Sequence, residues 1–121
     1  MNTKDKISFD DFLGIEAKLD IRIGEVVAAE RIPKKDKLIK LTVSFSKKEG
    51  DEITVVTNLG EFYEPDDFAT FFFPFIVNLE PVKLGGVMSE AMIIVGKSQT
   101  DGFEGNIELT YADYTMGSKL L

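Results

Sequence analysis

The sequence predicts an all-β domain with short helices, and three observations carry that prediction. Five or six short segments rich in Val, Ile, Phe and Thr either alternate apolar with polar residues or run apolar throughout. Clusters of turn-forming residues separate them, as at Pro33-Lys34, at Ser46 to Asp51 and at Gly85-Gly86. Only two stretches have helical character, one near the amino end and one after the third strand, and both are short.

Taken in order, residues 1–7 read as a polar tail. Ser8 is expected to cap a short helix over residues 8–18, with Asp10 and Asp11 at its positive end. Phe9, Phe12 and Leu13 fall at helical spacing and are expected to pack on the main body. Leu19, Ile21 and Ile23 alternate with Asp20 and Arg22, which starts a strand. Past Gly24 the phase must shift by one to keep Glu25 out of the core. Val26 and Ala28 then turn inward, and a bulge at the glycine is the expected device. The strand ends near Pro33, and residues 34–37 form a charged turn. The next strand is half-buried, with Ile39, Leu41, Val43 and Phe45 on one face and Lys40, Thr42 and Ser44 on the other. Residues 52–58 are expected to pair with it as a hairpin.

Residues 59–68 change character, and Pro65 suits the first position of a short helix with Asp66 and Asp67 in its first turn. Residues 71–79 follow as a strand. Pro74 cannot donate to a ladder, which predicts an edge or a bulge there. A turn built on Glu80-Pro81 and Gly85-Gly86 leads to another apolar strand over residues 91–96. Residues 96–105 read as a loop and residues 107–111 as a late strand, and the apolar end, residues 116–121, is expected to dock. There is no internal repeat. Pattern alone leaves a small β-barrel and a β-sandwich open. Five or six strands with a helix interrupting the order after the third fit the five-stranded Greek-key barrel of the oligonucleotide/oligosaccharide-binding (OB) kind. The 121 residues then form one domain, with an N-terminal extension (1–17), a barrel core (18–96) and a C-terminal extension (97–121).

The chain has neither Cys nor His, which removes thiolate chemistry, disulfides, the commonest metal ligand and the commonest general base. The remaining acid pairs, Asp10-Asp11, Asp51-Glu52 and Asp66-Asp67, lie at helix starts or turns, where solvation and the helix dipole account for them. No phosphate loop, zinc spacing or calcium loop is present. The expectation is a protein without catalysis, metal or cofactor. The start is polar, and the longest apolar run, Phe71 to Val77, is broken by Pro74 and falls far short of the roughly 20 residues that span a bilayer. A cytoplasmic protein with no membrane partner is expected.

The formal net charge is -7, and it is unevenly placed. Residues 1–60 hold 11 basic and 11 acidic residues, and residues 61–121 hold 3 and 10. Against that background Arg31, Lys34, Lys35, Lys37 and Lys40 form a local positive cluster, which is either a solvated turn or a phosphate-contacting rim. Asn78, Lys83, Ser89 and Glu90 form a second polar set around the turn at 80–86. They are either a turn held by its own side chains or groups that meet base edges and phosphate. The aromatic run Phe71, Phe72, Phe73 and Phe75 continues into Ile76 and Val77 without polar relief, so it reads as core or oligomer contact rather than a stacking platform.

The order FDDF, LDIRIG, DKLIKL, YEP and VNLEPVKLGGVMSEAM, over roughly residues 8–96, resembles the tRNA-binding domain family. That family includes the C-terminal appendix of bacterial methionyl-tRNA synthetases, free-standing tRNA-binding proteins, CsaA proteins and the endothelial-monocyte-activating polypeptide module. The resemblance implies an OB barrel that grips tRNA or other structured RNA. It also implies a homodimer in many members, built by segments outside the barrel. By position it implies RNA-binding roles for Arg22, Lys37, Asn78, Lys83, Ser89 and Glu90, with Arg22 open to a structural role beside an acid. Lys34 and Lys35 extend the rim. The chain departs from the family pattern at Val82, where an arginine is usual, at Ala91, and at Thr57-Asn58, where serine-glycine is usual. The alternative function is a protein-binding accessory of an aminoacyl-tRNA synthetase, or a chaperone-like module of the CsaA type. The acidic second half and the phenylalanine run motivate it.

Overall fold

Ser8 starts the first element as its sequence predicts. In the computed structural model, which describes residues 1–46, 48, 50–109 and 116–121, its Oγ accepts the Asp11 N–H at 3.1 Å and caps helix α1 (Phe9–Glu16). The expected packing of this helix is corrected, because none of its residues is buried. Phe9 is 72% exposed, Leu13 43% and Ile15 52%.

The chain then builds ten strands among the described residues. They are β1 (Ile21–Ile32), β2 (Lys35–Ser44), β3 (Ile53–Thr57), β4 (Phe72–Ile76), β5 (Val82–Leu84), β6 (Val87–Ser89), β7 (Met92–Ile93), β8 (Val95–Lys97), β9 (Glu104–Asn106) and β10 (Lys119–Leu120). The main sheet runs β3-β2-β1-β4-β7, all antiparallel, with β10 added beside the start of β1. β6 and β7 come back against β3, so the sheet curls into a nearly closed five-stranded barrel rather than a sandwich. Inside lie Val26, Ile39, Leu41, Val43, Val55, Leu59, Phe68, Phe73 and Phe75, each almost fully buried.

The shift of phase along β1 is real, but its place differs from expectation. The ladder with β2 runs Val26↔Val43 and then Ala28↔Thr42, so Val27 is the extra residue. That bulge turns Ala28 outward and Ala29 toward the core. Gly24 is instead a point of close approach: a Cβ there would stand 2.6 Å from Val43 Cγ1 and 2.8 Å from the Phe45 ring. Pro74 also lies elsewhere than predicted. It sits inside the sheet between β1 and β7, opposite Ile23. Ile23 directs its N–H to Ser118 O and its carbonyl to the Gly117 N–H, away from β4. The Ile23–Pro74 pair therefore shares no ladder bond, and proline's missing donor is not required on that side.

The turn between β1 and β2 is only Pro33-Lys34, with Lys34 at φ 65, and β2 already begins at Lys35. The turn between β2 and β3 contains residues 47 and 49, which lie outside the described residues. A 3-10 turn at Pro65–Asp67 starts on the predicted proline, and Glu64 and Asp67 cap it reciprocally. Gly85 and Gly86 take φ 58 and 84, the conformation that a two-residue turn between β5 and β6 demands. The expected loop at 96–105 is shorter than predicted, because its two ends pair as the β8–β9 hairpin. The late strand comes earlier, at 104–106. Residues 107–109 are not in a strand, and residues 110 and 111 lie outside the described residues. The tail docks as expected, through Ile21↔Leu120 and Arg22↔Lys119.

The barrel closes along a seam that backbone pairing alone does not complete. The Glu90 N–H donates to Thr54 O at 2.8 Å, and the Glu90 carboxylate accepts the Thr54 N–H at 2.8 Å. The buried Ser89 hydroxyl accepts the Val56 N–H at 2.9 Å and donates to Ala91 O at 3.1 Å. At the other end Arg22 forks onto Asp20 at 2.7 and 3.2 Å and donates to Gly117 O at 3.2 Å, tying β1 to the tail.

Two outcomes follow from these seams. Ser89→Ala leaves the Val56 N–H buried without its acceptor, and urea unfolding is expected to show a loss of about 1–3 kcal/mol. The hydrogen bond and charge of Arg22, helped by Lys119, hold the Asp20 carboxyl below its ordinary value of 3.8. The folded state therefore binds that proton less readily than the unfolded chain, and the stabilisation is present above the ordinary value and lost as pH falls through the folded one. The gap in melting temperature between the wild type and Asp20→Asn should be widest at neutral pH and shrink below pH 3.8.

Candidate nucleic-acid interface

The turn at Gly85-Gly86 fixes where the β5–β6 hairpin meets the rest of the barrel. Gly85 packs so tightly on β2 that an added Cβ would lie 2.7 Å from Leu38 Cδ1, with Ile32 also in reach. Ile32 and Leu38 flank the stretch that carries Lys34, Lys35 and Lys37, and Lys83 lies two residues before Gly85. The tip of the β5–β6 hairpin thus stands beside the β1–β2 turn, at one end of the barrel. Lys34, Lys35 and Lys83 are exposed and hold no ion pair among the described residues. Lys37 reaches Glu61 only at 4.0 Å, with both side chains more than half exposed, so it stays available to an anion.

Other members of the basic cluster are used internally. Arg31 donates to Asp36 O at 2.6 Å, Gly60 O at 3.2 Å and Tyr63 O at 3.3 Å, and pairs with Glu64 at 3.0 Å. It staples the segment after β3 to the β1–β2 turn. Gly60 permits this, since a Cβ there would sit 2.9 Å from Arg31 Nη1 and from Asp36 O. Lys40 pairs with Glu30 across the β1–β2 ladder at 3.3 Å.

The polar set read around the hairpin does not come together. Asn78 accepts the Asp20 N–H at 2.9 Å and donates to Lys18 O at 2.8 Å, bridging the approach to β1. Ser89 and Glu90 belong to the barrel seam, and Arg22 to the Asp20 clamp. Each of these four side chains satisfies backbone groups or a charge within the fold, Ser89 in a buried position and Arg22, Asn78 and Glu90 with part of their surface still exposed. Lys83 pairs with Met88 in the β5–β6 ladder, on the opposite face of the hairpin from Val82 and Leu84.

What the sequence reading missed is a cleft on the Val82–Leu84 face. It is about 310 Å³, with Leu38, Val56, Leu84, Met92 and Val95 among its walls and Asn58, Lys97 and Glu104 at its polar side. A smaller one of about 200 Å³ adjoins it, sharing Val56, Leu84 and Met92. Leu84 and Met92 remain 39% and 54% exposed. The only sequence signals were the alternation of Val82 and Leu84 around Lys83 and the unusual Asn58. Among the described residues no group of three or more acidic, His or Cys side chains is placed to hold a metal ion, and no helix is long and apolar enough to cross a membrane.

This architecture has relatives. Residues 21–119 match the family described as "Putative tRNA binding domain". The chain is 42% identical over 117 residues to methionine–tRNA ligase of Deinococcus radiodurans, covering 94% of this chain and 15% of the ligase. It is likewise 42% identical over 106 residues to the Methanocaldococcus jannaschii ligase, covering 85% of this chain and again 15% of the other. The chain thus spans about one-seventh of the length of these enzymes. Among solved structures, a methionyl-tRNA-synthetase-related protein from Pyrococcus horikoshii superimposes with a TM-score of 0.82 at 30% identity, covering 98% of this chain and 100% of the other. Chaperone CsaA of Bacillus anthracis superimposes with a TM-score of 0.74 at 26% identity, covering 97% and 100%. The barrel is thereby OB-like, and the chain belongs to the tRNA-binding domain family.

Proposed function

We propose that this chain is a non-catalytic, cytoplasmic module that binds tRNA or a similarly structured RNA as a homodimer, with Lys34, Lys35, Lys37 and Lys83 on the phosphates. The observation that supports the reading is the packing of Gly85 on Leu38, which brings the tip of the hairpin that carries Lys83 to the turn that carries Lys34 and Lys35. Family membership supplies the ligand class. A local positive edge holds a polyanion although the whole chain carries -7, because screening limits repulsion from remote acids while near cations release counterions. The homodimer rests on α1, whose Phe9, Leu13 and Ile15 are left open on a helix too short to be stable alone. Two copies would bury these faces and pair two RNA-binding edges.

A second reading has its own support. The same exposed helix, together with similarity to a chaperone structure and to ligase segments, fits a module that docks on a synthetase or a client protein.

Anisotropy of labelled bulk tRNA titrated against salt tests the first reading. Four phosphate contacts give a log-log slope of about -3. Replacing Lys37 and Lys83 together by Ala should weaken binding to all sequences alike and flatten the slope to about -1.5. No binding at low salt removes the RNA reading, and protein partners that survive nuclease in a pull-down favour the second. Light scattering checks the dimer: wild type is expected at twice the chain mass, and Phe9→Glu with Leu13→Glu at the chain mass, with the melting temperature lowered and no longer dependent on protein concentration.

A further inference from the structure

The β5–β6 hairpin sets a thioether beside its exposed lysine. Lys83 and Met88 are direct cross-strand partners. The two-residue turn at Gly85-Gly86 is closed by the Leu84–Val87 pair, so the Lys83–Met88 pair next to it is the kind without ladder hydrogen bonds, with Cα atoms about 4.5 Å apart. Cross-strand partners leave a sheet on the same face. Met88 is 49% exposed, Lys83 is exposed too, and neither lines the apolar clefts across the hairpin. Lys83 holds no ion pair among the described residues.

Thioethers are the only sulfur in this chain, which has four methionines and no cysteine. Met1 ends the polar tail, Met116 is half-buried, and Met92 lines the clefts on the other face of the hairpin. Met88 is the thioether paired with a lysine. Hydrogen peroxide oxidises an exposed thioether by two electrons and is itself reduced to water. The sulfur attacks one peroxide oxygen, and the S–O bond forms as the O–O bond breaks. The leaving hydroxide then takes the proton from the new S–OH group, which leaves the sulfoxide and water. A weakly accepting, apolar side chain thereby becomes a dipole that ends in a strong acceptor.

We propose that Met88 is a reversible oxidation site whose sulfoxide engages Lys83 and turns down anion binding at the hairpin. The sulfoxide oxygen accepts a hydrogen bond from the Lys83 ammonium. It also presents an acceptor to any phosphate that Lys83 holds, and phosphate oxygens are acceptors as well, so the two oppose each other. Lysine has three donors and keeps some hold on the phosphate, so the effect is a partial loss of binding. The RNA part of this inference rests on the reading above that Lys83 meets a phosphate. The coupling of Met88 to Lys83 does not.

The full chain is treated with hydrogen peroxide, the peroxide is removed, and peptide mass spectrometry maps the sulfoxides. Oxidised wild type is expected to carry the sulfoxide at Met88 and to bind bulk tRNA at least ~3-fold more weakly, the worth of about one hydrogen bond. Reduction by methionine sulfoxide reductases A and B should restore the affinity. Met88→Leu is expected to keep its affinity through the peroxide step, and Met92→Leu to lose it as wild type does. A second measurement needs no RNA. Trace acetylation by acetic anhydride requires the neutral amine, and a hydrogen bond to the charged form favours that form. Oxidation should therefore slow acetylation of Lys83 at least ~2-fold in wild type, leave Lys35 unchanged, and leave Lys83 unchanged in Met88→Leu. The proposal is overturned, and the RNA reading stands, if Met88 stays a thioether while Met92 converts, if the loss of affinity follows Met92, or if oxidation leaves Lys83 acetylation unchanged. If wild type binds no tRNA at low salt, the RNA reading falls, and the acetylation result alone upholds or overturns the Met88 site.

Discussion

The closure of the barrel between β3 and the segment Ser89–Ala91 is the constraint on which the rest depends. A curled sheet of five short strands leaves its first and last strands facing each other with backbone groups unpaired. Here the last strand is only Met92–Ile93, too short to zip along β3. Two side chains complete the seam, with Glu90 on Thr54 and Ser89 on Val56. Once the seam is shut, Val55, Phe73 and Phe75 are sealed inside. The β5–β6 hairpin, which leads directly into the seam, is then thrown outward and anchored at its tip by Gly85 on Leu38. Lys83 and the apolar cleft lie on opposite faces of that one hairpin.

Within a chain of net charge -7, the fold pairs some cations with acids and leaves others exposed. Several cations are neutralised locally by partners that the fold supplies, as with Arg22 on Asp20, Arg31 on Glu64 and Lys40 on Glu30. Among the described residues, the lysines of the β1–β2 turn and of the hairpin have no such partner or only a distant one. The field that a phosphate meets is set by groups within about 10 Å at moderate salt, so which cations are left over matters more than the total.

Polar residues around Gly- and Pro-rich turns look like ligand contacts in a sequence, because such turns are where binding sites often lie. Turns and seams are also where main-chain groups fall out of the ladders and need a side chain. Asn78 shows the second cause: both ends of its amide are engaged by the backbone at residues 18 and 20. Asn58 shows the reverse. It occupies a capping position, does not cap, and faces a cleft that no periodicity announced.

Short-range chemistry made much of this protein legible from its residues. Serine at a helix start, proline at the first position of a turn, paired glycines at a hairpin tip and period-two alternation along β2 each act within a few residues, so they read directly. The family motif order carried the barrel topology. Contacts between distant stretches were not readable: the bulge at Val27 rather than Gly24, Pro74 inside the sheet, the pairing of β8 with β9, and the bare face of α1. Each depends on which strand lies alongside, and that is settled when the barrel closes and every buried N–H and carbonyl must find a partner across sequence separations that no local pattern encodes.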